Sequence, residues 1–215
     1  MFKTCNMRKY ITEFIGTFFL VMTIGMVVIG GYEKFAPIAI GSILMTMIFA
    51  GGHVSGAHYN PAVTFAVLLR GRIKLPDAIG YWIAQMIAAA AAAAVVNYLI
   101  PGQMPEAAKP MADNMRGLVA EALGTFALCY VVLNVATAKG TLGNMFYGLA
   151  IGFTVLAMAY AVGAISGGAF NPAVATGISI MKLASWSVYW VYLVGCFGGA
   201  AIAALVFRIN NPEDK

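Results

Sequence analysis

The chain has 215 residues, 61% of them apolar and only 10% charged, with a mean hydropathy of +0.85. A soluble domain carries about a quarter charged residues, so one aqueous core of this size cannot hide that much apolar surface; a water-soluble enzyme or nucleic-acid binder is excluded. The formal charge of +5 falls at the ends of apolar runs, the distribution of membrane loops held in the cytoplasm rather than a nucleic-acid-binding stripe.

In chain order, uninterrupted apolar windows predict spans at 10–30, 37–52, 79–100, 117–137, 145–162 and 186–207, each near the ~20 residues that cross a ~30 Å hydrocarbon core. The first is a retained span rather than a signal peptide: it is long, lacks a small-residue cleavage site, and recurs later in the chain. The longest linker, 101–116, contains Pro101, Pro105 and Pro110 and falls at the midpoint. Alternating sides from an inside N-terminus place Lys3, Arg8, Lys9, Arg70, Arg72, Lys74, Lys139, Arg208 and Lys215 in the cytoplasm, and only Lys34, Lys109, Arg116 and Lys182 outside. Both termini are therefore expected inside a cell (inner or plasma) membrane. Cys5, Cys129 and Cys196 form no CxxC or metal spacing and read as packing residues or inert thiols.

The chain repeats itself. Glu13-Phe-Ile-Gly-Thr-Phe18 matches Glu121-Ala-Leu-Gly-Thr-Phe126, 108 residues on; Ser55-Gly-Ala-His-Tyr-Asn-Pro-Ala-Val63 matches Ser166-Gly-Gly-Ala-Phe-Asn-Pro-Ala-Val174, 111 on; Tyr81-Trp82 matches Tyr189-Trp190, 108 on. Three motifs in one order indicate an internal duplication. Each half holds three spans, an odd number, so the second copy enters the membrane from the opposite side as an inverted repeat. The expected architecture is an all-α membrane protein: six transmembrane helices plus two re-entrant half-helices in one domain over 1–215, its halves approximately 1–103 and 111–215.

The half-helices are read from Asn60-Pro61-Ala62 and Asn171-Pro172-Ala173. Asparagine favours the N-cap and proline the first helical position, and the apolar runs that follow, 61–69 and 172–181, rise only ~15 Å. The Gly-rich stretches before them, 51–56 and 163–168, suit extended backbone, which is tolerated at membrane depth only when buried in protein or lining a wet cavity. Inverted symmetry would bring the two N-termini together at mid-membrane. Each carries roughly half a positive charge, a barrier to cations and protons. The asparagine amides would donate to a passing solute and upstream carbonyls would accept from it, so a neutral hydrogen-bonding solute exchanges its water partners stepwise while an ion does not.

Paired Asn-Pro-Ala boxes in halves opened by Glu-x-x-Gly-Thr-Phe resemble the aquaporin, or major intrinsic protein, family over essentially the whole chain. The resemblance implies a homotetramer with one pore per subunit, each pore lined by the carbonyls of Gly56, Ala57 and His58 and of Gly167, Gly168 and Ala169. It also implies that Glu13 and Glu121 support the re-entrant loops by accepting their N–H groups; as intramembrane carboxylates their alternative reading is a proton relay. Most water channels of the family place an arginine directly after the second box, where this chain has Val174. The other selectivity-filter positions, carried over by distance from each asparagine, fall on Ile40, Ala159 and Gly168, where water-selective members show an aromatic and a histidine at the first two. The expected filter is wide, apolar and uncharged, suited to glycerol, urea, ammonia or undissociated metalloid acids such as arsenite; bacterial relatives associated with arsenic resistance carry a valine there too.

His58 reads as a pH gate at a pore mouth or as a hydrogen-bonded loop histidine. Gly16, Gly80, Gly124, Gly195, Gly198 and Gly199 permit close helix crossing. Inverted repeats with broken helices also serve secondary transporters, but no intramembrane charges look placed to couple an ion to a substrate. An intramembrane enzyme would show HExxH, GxSxG or a Cys/His constellation, and none occurs in the sequence; no cofactor or metal is expected.

Overall fold

The computed structural model describes residues 3–108 and 110–214, and for 3–6 the helix alone. Lys109 and Lys215, and the side chains of Lys3 and Cys5, lie outside the described residues. All regular structure among the described residues is helical: α1 (Lys3–Ile29), α2 (Ala36–Ser55), α3 (Pro61–Leu69), α4 (Leu75–Leu99), α5 (Asn114–Thr137), α6 (Tyr147–Ser166), α7 (Pro172–Ile180) and α8 (Tyr189–Asn210), with three single 3₁₀ turns between them. Among the described residues six helices are long and apolar enough to cross a membrane, and the chain is a multi-pass membrane protein. Each carries a large apolar outer stripe, such as Ile11, Ile15 and Phe19 on α1 or Ile79, Ile83 and Ile87 on α4, all exposed. Water would penalise those stripes; lipid does not.

α1 packs on α2 and α4, α5 on α6 and α8, and α2 on α6. Small residues set these crossings. A Cβ on Gly41 would sit 2.7 Å from the Gly152 carbonyl oxygen, and one on Gly195 2.7 Å from the Glu121 Cβ, so any larger residue would push α2 from α6 or α8 from α5. Ala88, Ala89, Ala92 and Ala93 are buried on α4, which packs on α1 and α7.

The half-helices α3 and α7 have nine residues each, about 14 Å of rise, so neither crosses alone. Each packs against the last long helix of the other half, α3 on α8 and α7 on α4. The backbone before them differs from expectation. Residues 51–55 and 163–166 are not extended but continue α2 and α6 to Ser55 and Ser166. Both helices stop at a left-handed glycine, Gly56 (φ +86°) and Gly167 (φ +95°), which adopts that conformation without a Cβ clash. Between each long helix and its half-helix only a four-residue turn, 56–59 or 167–170, and the capping asparagine are non-helical.

Candidate functional site

Each four-residue turn leaves backbone N–H groups with no helical partner, deep in an apolar interior where an unmade hydrogen bond is expensive. A buried carboxylate answers them. Glu13 Oε1 accepts from the Ser55 hydroxyl (2.6 Å) and the His58 N–H (2.9 Å); Oε2 accepts from the Tyr59 N–H (2.7 Å) and the Gln85 side-chain amide (2.8 Å). Ser55 Oγ in turn accepts the Ala57 N–H at 3.0 Å, and the Tyr81 hydroxyl donates to the Ser55 carbonyl at 2.6 Å. The backbone is bent hard to allow this: Ala57 and Tyr59 both take φ +50°, uncommon for residues with a Cβ. Gly16 makes room, since a Cβ there would enter the Tyr59 ring.

The second turn repeats the pattern. Glu121 Oε1 accepts from the Ser166 hydroxyl (2.6 Å) and the Ala169 N–H (3.0 Å), and Oε2 from the Phe170 N–H (2.7 Å). The Tyr192 hydroxyl donates to the Ser166 carbonyl at 2.6 Å. Gly124 leaves space for the Phe170 ring as Gly16 does for Tyr59. In place of Gln85 stands the Cys196 thiol, 3.7 Å from Oε2. These bonds correct the sequence pairing: Tyr192, not Tyr189, is the partner of Tyr81. Tyr189 instead shares a hydrogen bond with the Thr176 hydroxyl (2.8 Å). The 108-residue offset holds for the glutamates, but 111 runs from the turns through the last helices.

The two asparagines join the turns. Asn60 Oδ1 caps α3, accepting from the Ala62 N–H (2.8 Å) and, more weakly, Val63 (3.4 Å), while its amide donates to the Phe170 carbonyl (2.9 Å). Asn171 caps α7 with the same bonds to Ala173 (2.9 Å) and Val174 (3.4 Å) and donates to the Tyr59 carbonyl (2.9 Å). Pro61 and Pro172 follow as first helical residues. The N-termini of α3 and α7 therefore face each other, each held by the opposite turn, and each amide retains a second N–H beyond the bond it makes.

A cavity of about 590 Å³ passes this meeting point. Its wall includes Ile40, Ala159, Gly168 and Val174, the four residues expected at the constriction, together with Asn60, Asn171, Ala57, His58, Gly167 and Ala169. Among the described residues the wall has no lysine or arginine, and its one carboxylate, Glu33, lies on the turn before α2. Gly56 is not in the wall; it caps α2. Pro61, Ala62, Pro172 and Ala173 are buried behind the asparagines, and Glu13 and Glu121 behind the turns. His58 is a wall residue whose Nδ1 lies 3.0 Å from the Thr64 hydroxyl and whose ring meets Tyr81 edge-on at 5.0 Å. Sequence reasoning missed Gln85, Tyr192 and Cys196 as turn supports. The one available signal was the 111-residue offset, which sets Tyr81 and Gln85 opposite Tyr192 and Cys196.

Comparison with known proteins gives one answer. The major intrinsic protein family profile matches residues 1–207. A relative named glycerol uptake facilitator protein-like 6, from Lactiplantibacillus plantarum, is 37% identical, covering 97% of this chain and 100% of its own. Aquaporin NIP1-4 from Oryza sativa subsp. japonica is 35% identical over 94% of this chain and 77% of its own. The aquaglyceroporin from Plasmodium falciparum, solved by X-ray crystallography, superposes with a TM-score of 0.75 at 19% identity, covering 97% of this chain and 98% of that one; it speaks for the fold. The chain belongs to the major intrinsic protein family and is a passive membrane channel for water and small solutes.

Proposed function

We propose that this channel passes neutral solutes larger than water (glycerol, urea, ammonia or undissociated metalloid acids such as arsenite) through a wide filter formed by Ile40, Ala159, Gly168 and Val174. The observation that carries this reading is the composition of the cavity wall: all four residues lie in it and none is charged or aromatic. An arginine at Val174 would narrow the passage and repel cations; without it, exclusion of cations and protons rests on the facing N-termini of α3 and α7, each worth about half a positive charge. Asn60 and Asn171 offer their free N–H groups to the solute, and the carbonyls of Ala57, His58, Gly167, Gly168 and Ala169 accept from it, while Gly56 ends α2. Glu13 and Glu121 are structural acceptors and not proton relays: backbone N–H groups of the turns converge on each, and neither carboxylate lines the cavity.

The chain forms an inverted repeat, supported by the matching bonds of the two turns, and sits in a cell membrane with both termini in the cytoplasm, assembled as a homotetramer with one pore per subunit. The basic residues of the α3–α4 loop, the α5–α6 loop and the end of α8 gather at one end of the molecule, in keeping with that orientation. Purified protein in liposomes tests the filter by light-scattering uptake of water, glycerol, urea and arsenite. Facilitated glycerol or urea entry is the expected result. A channel that admits water while excluding all three solutes would sink the proposal.

A further inference from the structure

Where α3, α5 and α8 end, the chain builds a cationic cluster that conduction does not use. Arg70, at the end of α3, has a side chain only 5% exposed. Its guanidinium lies 4.7 Å from the centroid of the Phe207 ring, a cation–π contact, and its Nη2 bonds the Asp214 carboxylate. Arg72 reaches the same carboxylate oxygen at 3.3 Å. The other oxygen accepts the Lys139 backbone N–H at 2.6 Å, and the Lys139 ammonium donates to the Glu213 carbonyl at 3.0 Å. Arg208 is engaged elsewhere, on the Leu69 carbonyl.

One mismatch stands out. Among the described residues Arg70, Arg72 and Lys139 gather around the Asp214 carboxylate, and their donors outnumber its acceptor oxygens. Among the described residues Arg70 Nε is buried with no hydrogen-bond partner, although Nε–H and Nη2–H form the parallel pair with which a guanidinium grips an oxyanion side-on. Asp214 takes only Nη2, because its second oxygen is turned to Lys139. A planar two-oxygen group cannot serve all these donors, whereas a tetrahedral one can.

We propose that this cluster is a phosphate site, occupied in cis by Asp214. A phosphate would meet Arg70 Nε and Nη2, Arg72 and the Lys139 N–H together. The phosphate comes either from an anionic lipid headgroup, at the level where α8 leaves the bilayer, or from free phosphate. The site spans both halves of the chain, two arginines from the first and Lys139 from the second. Consistently, the Lys139 N–H, followed by the charges of Arg70, Arg72 and Lys139, holds the Asp214 carboxyl below its ordinary value of 3.8.

The test uses the full chain in detergent, with inorganic phosphate as the probe and sodium chloride at matched ionic strength as the control. A ligand that binds only the folded state raises the unfolding temperature with its concentration. Asp214→Asn should respond at a phosphate concentration at least tenfold below that needed by the unaltered chain. Adding Arg72→Gln, which leaves buried Arg70 in place, should abolish the response. If Asp214→Asn does not fold, Arg72→Gln alone must still weaken the response of the unaltered chain. Native mass spectrometry from phosphatidylglycerol or phosphatidylcholine nanodiscs separates the sources. Phosphatidylglycerol retained through Arg72 identifies the lipid; a response to free phosphate with no lipid preference identifies the ion. Equal responses to phosphate and chloride with no lipid preference, or a phosphate response that survives Arg72→Gln, would overturn the proposal.

Discussion

The two re-entrant turns have the same backbone and unequal support. At matching positions the dihedrals agree: Gly56 with Gly167, Ala57 (φ +50°) with Gly168 (+64°), Tyr59 (+50°) with Phe170 (+48°). The carboxylates behind them differ. Four N–H or O–H donors converge on Glu13 at 2.6–2.9 Å. Glu121 has three such donors and a thiol at 3.7 Å, a weak donor at long range. The turn that carries Gly168, a filter residue in the proposed reading, is therefore the less firmly held. One backbone shape tolerates different amounts of fixing, and the less firmly held copy carries a residue of the proposed filter.

Removing the acceptors should expose this difference most strongly. In Glu13→Gln an amide nitrogen replaces one oxygen and points N–H groups at N–H groups, stranding two buried donors. The expected loss is about 3 kcal/mol at roughly 1–3 kcal/mol per stranded group. Glu121→Gln can turn its amide toward the thiol side and strand one, for about 2 kcal/mol. Equilibrium unfolding in mixed micelles measures both. Equal losses would mean that Cys196 supports its turn as well as Gln85 does.

The filter offers the next largest effect. Val174→Arg places a long cation in the cavity wall of the looser half, and glycerol or urea uptake into proteoliposomes should fall more than tenfold while water flux persists. Unchanged uptake of the larger solutes would move the constriction away from Val174.

How much of this was legible in the sequence depended on whether a residue announced itself locally. Asn60, Pro61, Asn171 and Pro172 carry their helix-start chemistry within two positions, so α3 and α7 could be placed nearly to the residue. Glu13 and Glu121 were conspicuous because a carboxylate in an apolar span demands a reason. Gln85 and Cys196 were not, since their partners lie 72 and 75 residues away and neither residue type is unusual in a helix. The extended stretches were placed too early because glycine-rich sequence reads as irregular. Gly51 and Gly163 in fact lie within helices, and Gly51 has a packing reason: a Cβ there would strike the Tyr59 hydroxyl. The orphaned Arg70 Nε had no sequence signature, as it arises only where three chain segments meet.

Truncating the fourth support separates the turns from another direction. Gln85→Ala removes a donor to both Glu13 and the Thr64 hydroxyl (3.1 Å) and leaves a hole in a fully buried site; the expected loss is about 2 kcal/mol. Cys196→Ala removes one weak contact and a small volume, for about 1 kcal/mol. The same micelle unfolding curves decide it. A Cys196→Ala loss as large as that of Gln85→Ala would show that the thiol bond is stronger than its length implies.

The smallest contrast lies where the half-helices end. α3 and α7 both finish with a left-handed residue whose successor's N–H reaches back into the helix, Arg72 to the Val67 carbonyl (3.0 Å) and Leu183 to the Ile178 carbonyl (2.8 Å). The left-handed residue is Gly71 (φ +79°) in the first half and Lys182 (φ +57°) in the second. Glycine adopts that conformation freely, whereas an L side chain is strained by about 1 kcal/mol. Lys182 is exposed, so its truncation sacrifices no packing, though a glycine adds unfolded-state freedom that offsets part of the relief. Lys182→Gly should therefore gain about 0.5 kcal/mol, and Gly71→Ala, whose Cβ would meet no neighbour within 4 Å, should lose about 1 kcal/mol. Opposite signs in the two halves would establish that backbone strain, and not side-chain contact, separates the two helix ends; a loss in both would assign the Lys182 side chain a contact of its own.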